Sequence, residues 1–326
     1  MIDLEACARS LVAPGKGLLA CDESTATIDE RLTAAGIASN EKMRLAYREV
    51  FLGAPGIEEF LSGVSLSDDL LAPFAKTLHD RDLVPGVKVD EETEPMSESP
   101  KEMVTRGLIG LPERLVTYRT THHTGFAKWR AVLTIDGDQL PSPLAIVENA
   151  KRLAMFAKYV QETGMVPVVE MDVLRKGKHS RVRATAALEE ALTALMRALS
   201  DQALDLSGVI LQTSMATSGE GSGLKDSPED VAEDTIAALM KAVPREVLGI
   251  VFLSGGQGPD QVTDNLRAIA QAGKAANAPW PLSFSFARAL TEEGLTIWGG
   301  KKENIPAARE AFLARLKTVA LAAQGQ

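Results

Sequence analysis

The residues of this chain that could do chemistry fall largely in pairs, two positions apart. Lys88 and Asp90, Lys128 and Arg130, and Glu170 and Asp172 each lie in or at the end of a short apolar run. On a β-strand that spacing puts both side chains on one face. Asp22, Ser254 and Arg288 follow three more such runs, at 18–21, 248–253 and 282–286. Charges on covered strands are costly unless paired, and converging cations and carboxylates mark reaction centres. Carboxylates beside a lysine suit proton transfer. One member of the set is neutral. The run Gly-Val-Ile-Leu-Gln-Thr-Ser-Met at 208–215 ends its apolar part at Gln212.

An anion-binding signal accompanies them. Ser254-Gly255-Gly256-Gln257-Gly258 joins an apolar run to a helix that begins near Pro259. Glycines let backbone N–H groups approach an anion, and the helix dipole favours negative charge there. The glycine spacing is not that of a dinucleotide fingerprint, and no acidic residue ends the next strand.

The elements that must position these groups are eight short apolar strands at 18–21, 64–66, 85–90, 126–134, 165–171, 208–215, 248–253 and 282–286. Helical stretches alternate with most of them: Ser142-Pro143 and Ser227-Pro228 supply N-caps with proline at the first helical position. The acidic segment 91–100, with two prolines, reads as a solvated loop. Eight strands alternating with helices, without a long linker, predict an α/β fold, a single (β/α)8 TIM barrel over residues 1–326. An N-terminal helical segment precedes the barrel and a helix over 303–323 closes it. A doubly wound open sheet would need a break where strand order reverses, and nothing marks one. In a barrel the active site lies at the C-terminal ends of the strands, and the loops after strands seven and eight commonly hold phosphate. Ser254, Gly255, Gly256 and Arg288 occupy those loops, so a phosphorylated ligand is expected.

Composition sets the outer bounds. The chain has 326 residues, 45% hydrophobic and 24% charged, which is ordinary for a globular protein with a large core. A net charge of −9 argues against nucleic-acid or anionic-membrane partners, which favour basic surfaces. Cys7 and Cys21 are too few for a disulfide framework. Neither a basic n-region with an apolar core nor a run of ~20 apolar residues is found, so the expectation is a cytoplasmic protein. His79, His122, His123 and His179 lack metal-ligand spacing at strand ends and read as surface residues. No metal or other cofactor is expected.

Five blocks in order carry a family resemblance: Gly17-Leu-Leu-Ala-Cys-Asp-Glu-Ser-Thr25, Gly86-Val-Lys-Val-Asp90, Phe126-Ala-Lys-Trp-Arg130, Phe252-Leu-Ser-Gly-Gly-Gln257 and Trp298-Gly-Gly-Lys-Lys-Glu-Asn304. The chain thereby resembles the class I fructose-1,6-bisphosphate aldolases. That resemblance implies a (β/α)8 barrel, usually a homotetramer, cleaving a ketose bisphosphate into two triose phosphates through a lysine Schiff base. It implies acid/base roles for Asp22 and Glu170 and charge-handling roles for Lys88 and Lys128. Arg130 belongs to the substrate contacts. One phosphate is implied at Ser254, Gly255, Gly256 and Arg288, the other at Ser24, Thr27 and Arg31, with Thr27 replacing a serine. Asp172 stands where the family has a second Glu.

At one position the pattern fails. Where the family has Leu-Leu-Lys-Pro or Ile-Leu-Lys-Pro, this chain has Ile210-Leu211-Gln212-Thr213, so Gln212 holds the Schiff-base position. An amide nitrogen is not a nucleophile, and without an iminium no electron sink receives the carbanion of carbon–carbon cleavage. A hydrogen bond from Gln212 offers about 2.7–4 kcal/mol, against the roughly 8–23 kcal/mol that enzymatic acceleration demands. The leading expectation is aldol-type chemistry on a phosphorylated ketose or triose phosphate. It would use Lys128 or Lys88 as nucleophile if crowding by other cations lowers an amine's pKa. The alternatives are a sugar-phosphate-binding pseudoenzyme and proton-transfer chemistry without a Schiff base. A metal-dependent aldolase would solve the electron-sink problem, but the histidine placement argues against it.

Overall fold

Period-two alternation on the strands divides the interior into two cores with different jobs. The computed structural model describes residues 3–326. In chain order α1 (Leu4–Leu11), β1 (Gly17–Cys21), α2 (Thr25–Ala34), α3 (Glu41–Leu52), β2 (Leu61–Leu66), α4 (Asp68–His79) and β3 (Val84–Lys88) come first. The short strands β4 (Thr93–Pro95) and β5 (Met103–Thr105), α5 (Leu111–His122), β6 (Phe126–Leu133), α6 (Pro143–Glu162), β7 (Val166–Val173) and α7 (Arg181–Asp201) follow. Then come β8 (Ile210–Thr213), α8 (Pro228–Ala242), β9 (Gly249–Phe252), α9 (Pro259–Ala275), β10 (Leu282–Phe286), α10 (Arg288–Trp298) and α11 (Ile305–Ala322). Eight parallel strands close a barrel in the order β1-β10-β9-β8-β7-β6-β3-β2, as the alternation of strands and helices predicts.

Outward-facing Leu19, Trp129, Val169, Leu211, Phe252 and Phe284 pack against the surrounding helices in the larger core. Inward-facing Leu18, Phe126, Val166, Val168, Ile210 and Val251 fill the N-terminal end of the barrel together with Ala8, Leu11 and Val12, from α1 and just after it. That end is therefore a solid plug. Its packing leaves no room for a side chain at position 86: a Cβ on Gly86 would stand 2.1 Å from the Phe126 ring. Two residues further along the same inward faces the side chains become polar, with Lys128 above Phe126, Glu170 above Val168 and Gln212 above Ile210. The plug thus forms the floor on which the polar layer stands.

The serine caps form where the sequence places them. Ser142 accepts from Ala145 N, Ser227 accepts from Asp230 N, and each helix carries proline in its first turn. Helix α7 begins at Arg181, where Ser180 caps it by accepting from Arg183 N. Asp68 and Asp69 form the first turn of α4, where the dipole favours them. The expected loop at 91–100 contains β4, which pairs antiparallel with β5 through its backbone while its side chains stay exposed. Its composition reports the exposed side chains and conceals the pairing. Among the described residues no helix is long and apolar enough to cross a membrane.

Candidate active site

Strand register assembles the site. Lys88 on β3 is level with Lys128 on β6, Arg130 with Glu170 on β7, and Glu170 with Gln212 on β8. Four adjacent strands thereby present their polar groups at two successive levels of the inner wall, Lys88 and Lys128 at one and Arg130, Glu170 and Gln212 at the next. Lys128, only 4% exposed, is the hub. Its Nζ lies 2.7 Å from Asp22 Oδ2 and 3.2 Å from Glu170 Oε2. Ser65 Oγ on β2 donates to Asp22 Oδ2 at 2.5 Å.

A second tier lies nearer the mouth. Arg130 donates to Asp172 Oδ2 from Nη2 at 2.6 Å and from Nε at 3.1 Å, with Glu170 Oε1 3.4 Å from Nε. Lys88 Nζ pairs with Asp90 Oδ2 at 2.6 Å, and Asp90 Oδ1 also accepts from Arg130 N at 3.1 Å. The three pairs predicted from period-two spacing are thus brought together, each carboxyl facing a cation.

Burial and charge act in opposite directions on these groups. Burial raises the pKa of Asp22, but the Lys128 and Lys88 ammonium groups outweigh it and hold the carboxyl below its ordinary value. Burial lowers the pKa of Lys128, yet Asp22 and then Glu170 reverse this and push it well above the ordinary lysine value. Glu170 is raised, by burial first, with Lys128 and Arg130 pulling against it. Asp90 is raised in the same way, against Lys88. The expectation that cation crowding lowers the Lys128 pKa is therefore corrected: its nearest charges are carboxylates.

Lys128, Glu170, Asp172, Gln212, Asp22, Ser24, Thr27, Lys88 and Arg130 line one cavity of about 500 Å³, with Ser254, Gly255 and Gly256 on its far wall. Gly255 and Gly256 adopt φ of 55° and 78°, the left-handed region that glycine tolerates. The N-cap of α9, Gly258, makes no side-chain cap, so first-turn N–H groups face the same loop uncapped. Arg288 Nη2 donates to Gly256 O at 3.2 Å, at the rim of this cradle. Ser24 caps α2 by accepting from Thr27 N at 3.3 Å.

Arg31 is placed differently from the others. Its guanidinium donates to Glu23 and, at 2.8 Å, to Thr291 Oγ1, lies over the Tyr47 ring, and does not line the cavity. Glu23 is held from its other side by Arg48 at 3.0 Å. His179 is buried rather than on the surface, against the loop at Gly219. Among the described residues no group of three or more His, Cys, Asp or Glu is placed to hold a metal ion.

Several wall residues escape sequence reasoning. Ser65 and Ser285 are polar inward positions in Val-Ser-Leu and Phe-Ser-Phe, where alternation with apolar neighbours is the signal that identifies them. Arg175, Lys176 and Glu220 reach the cavity from the loops after β7 and β8. Those loops are joined by Glu220 N→Arg175 O and Gly221 N→Gly177 O, at 2.9 and 2.8 Å. Loop-to-loop docking has no sequence signature.

Comparison with known proteins agrees with this geometry. A family model for class I fructose-bisphosphate aldolase matches residues 3–326. The chain is 42% identical to a probable fructose-bisphosphate aldolase class 1 of Xanthomonas campestris, covering 98% of this chain and 96% of the relative. It is 44% identical to the cytosolic fructose-bisphosphate aldolase 6 of Arabidopsis thaliana, covering 97% and 88%. With human fructose-bisphosphate aldolase C the identity is 39%, covering 99% and 90%. The crystal structure of the Plasmodium falciparum fructose-bisphosphate aldolase superposes with a TM-score of 0.95 at 37% identity, covering 99% of this chain and 94% of that one. A closed parallel barrel, a lysine–carboxylate hub above a solid floor and sequence similarity along nearly the whole chain all lead to one assignment: this chain belongs to the class I fructose-bisphosphate aldolase family.

Proposed function

We propose that this protein binds a phosphorylated sugar in the barrel mouth and does not cleave it through a Schiff base on β8. The observation that carries the reading is the combination of Gln212 on the cavity wall, 2% exposed, with a lysine hub whose charge is already committed. Amine attack on a carbonyl requires a neutral amine. Lys128 is held as an ammonium between Asp22 and Glu170, which favours a proton donor over a nucleophile. The chemistry these groups support best is proton transfer to and from sugar hydroxyls. Asp22 serves as the carboxylate held ionised, and Glu170, its pKa raised by burial, as the group that more readily takes up and returns a proton.

The phosphate cradle at Ser254–Gly256, with Arg288 at its rim, supports a phosphorylated ligand through backbone N–H groups and one guanidinium. A second reading keeps aldol-type chemistry and uses Lys88. It is favoured by one observation: Lys88 lines the cavity, pairs with a single carboxylate and retains 26% exposure of its side chain.

Gln212→Lys, assayed for fructose 1,6-bisphosphate cleavage beside the parent, tests the proposal. Cleavage in the variant alone supports it. Sustained cleavage by the parent overturns it.

A further inference from the structure

The cations around the barrel mouth divide into two sets. Lys88, Lys128 and Arg130 each lie within 2.7 Å of a carboxylate oxygen. Arg175, just beyond β7 in the cavity wall, has no such partner: among the described residues its guanidinium donates no hydrogen bond and meets no carboxylate within 4 Å. Every other described arginine that is not exposed donates at least one side-chain hydrogen bond. Arg175 Nε is buried without a partner. Burial works against the charge, and Glu220 and Asp226 offset this only from a distance. An unpaired donor on a partly buried cation is costly, and here it borders a cavity.

The position of Arg175 is fixed without a partner for its charge. Its carbonyl accepts from Glu220 N at 2.9 Å, and its methylene stem runs along the glycine loop, where a Cβ on Gly255 would stand 3.6 Å from Arg175 Cδ. A Cβ on Gly256 would stand 3.8 Å from Arg288 Nη2. The two arginines therefore flank successive glycines. Strand order puts them on opposite sides of the loop after β9, since β10 is its neighbour on one side and β8, then β7, lie on the other. A guanidinium is a permanently charged planar fork of donors that matches phosphate oxygens. A phosphate monoester brings about −1.5 to −2 charge and three acceptor oxygens, more than Arg288 alone neutralises.

We propose that Arg175 is a phosphate-binding residue that closes the glycine cradle on the side away from Arg288, so that the ligand's phosphate is gripped between two guanidiniums. This rests on the phosphosugar reading above and adds to it a binding group supplied by the loop between β7 and α7. With the backbone pinned and the stem packed, little side-chain freedom remains to be lost on binding. The docking of that loop on the loop after β8, through Glu220 N and Gly221 N, thereby acquires a role in holding the ligand.

Calorimetric titration with dihydroxyacetone phosphate and with inorganic phosphate tests this on the parent, Arg175→Met, Arg175→Lys and Lys178→Met. Arg175→Met keeps an unbranched stem against Gly255 and removes the fork. It lowers affinity for both probes about 10–100-fold, as loss of a hydrogen bond between charged groups does. Its urea midpoint stays that of the parent, because Arg175 makes no side-chain bond in the unliganded fold. Arg175→Lys restores part of the affinity by returning the charge without the fork. Lys178, exposed on the same loop and outside the cavity wall, is the control for general charge. Lys178→Met changes affinity less than about 3-fold, since an exposed charge at a distance is screened. Affinity within about 2-fold of the parent in Arg175→Met overturns the inference and leaves the phosphosugar reading standing. So does an equal loss in Lys178→Met, or a loss that comes with a lowered urea midpoint and is not relieved by Arg175→Lys. If the folded parent binds neither probe, the phosphosugar reading fails and the inference falls with it.

Discussion

Removing the hub lysine exposes what the cluster is made of. Lys128→Met keeps most of the unbranched side chain and deletes the one cation shared by Asp22 and Glu170, whose side chains are 6% and 5% exposed. Two buried carboxyls would then face each other across the barrel. Breaking a buried pair by deleting one partner costs about 3–5 kcal/mol, because the remaining charge is left uncompensated. The pH dependence follows from the directions of the shifts. Asp22 has a depressed pKa when folded, so its stabilisation is present above its unfolded value of about 3.9 and is lost as pH falls through the folded value. Lys128 has a raised pKa, so its contribution is complete below about 10.4 and is lost as pH rises through its folded value. Glu170 and Asp90, both raised, contribute with the opposite slope to Asp22: their share is full below about 4 and declines as pH rises. In Lys128→Met the freed carboxyls titrate higher than in the parent. Each pH unit between their raised folded values and the unfolded ones returns up to about 1.4 kcal/mol per group. Urea denaturation of parent and variant at pH 7 and pH 4 therefore shows a gap of about 3–5 kcal/mol that narrows markedly at the lower pH. A gap below about 1 kcal/mol at pH 7, or one of equal size at both values, would refute the claim that the hub is a desolvated ion cluster.

Arg288→Ala removes a guanidinium that donates to Gly256 O at 3.2 Å and lies 3.9 Å from Glu292 in an exposed i,i+4 pair. Affinity for phosphorylated ligands falls about 10–100-fold with little loss of stability, as expected for a hydrogen bond to a charged group, and unchanged affinity in calorimetry would remove Arg288 from the cradle. Burial pushes the Cys21 thiol up to about 12, with Arg48 pulling it down less strongly. Iodoacetamide at pH 8 leaves Cys21 unmodified in the native protein and labels it after urea unfolding; native-state labelling seen by peptide mass mapping would contradict its burial.

Much of this architecture was legible because strand periodicity and barrel geometry act through the same physical constraint. Once Lys128 and Arg130 are on one face and the strands are parallel, closing the barrel brings them to Glu170 and Asp172 without further information. The glycine loop and Arg288 were legible because the loops after the last two barrel strands meet at one side of the mouth. The electrostatic outcome was not. Spacing places Lys128 near cations and carboxylates alike, and only the distances of 2.7 and 3.2 Å to Asp22 and Glu170 decide that its charge is stabilised. Arg31 shows the same limit. Its position after Ser24 and Thr27 suits a phosphate contact, but Glu23 and Thr291 turn its guanidinium to a neighbouring network. Alternation would have revealed Ser285, whereas Arg175 reaches the cavity through a loop whose course depends on contacts with another loop.

On the reading proposed above, this site holds its sugar phosphate without covalent capture. Intact-mass analysis of the parent after incubation with fructose 1,6-bisphosphate or dihydroxyacetone phosphate and borohydride tests it most directly, with Gln212→Lys as the trapping control. The expected outcome is an unchanged mass for the parent and a reduced adduct in the variant, mapped to position 212. A reduced adduct on Lys128 or Lys88 of the parent would contradict it.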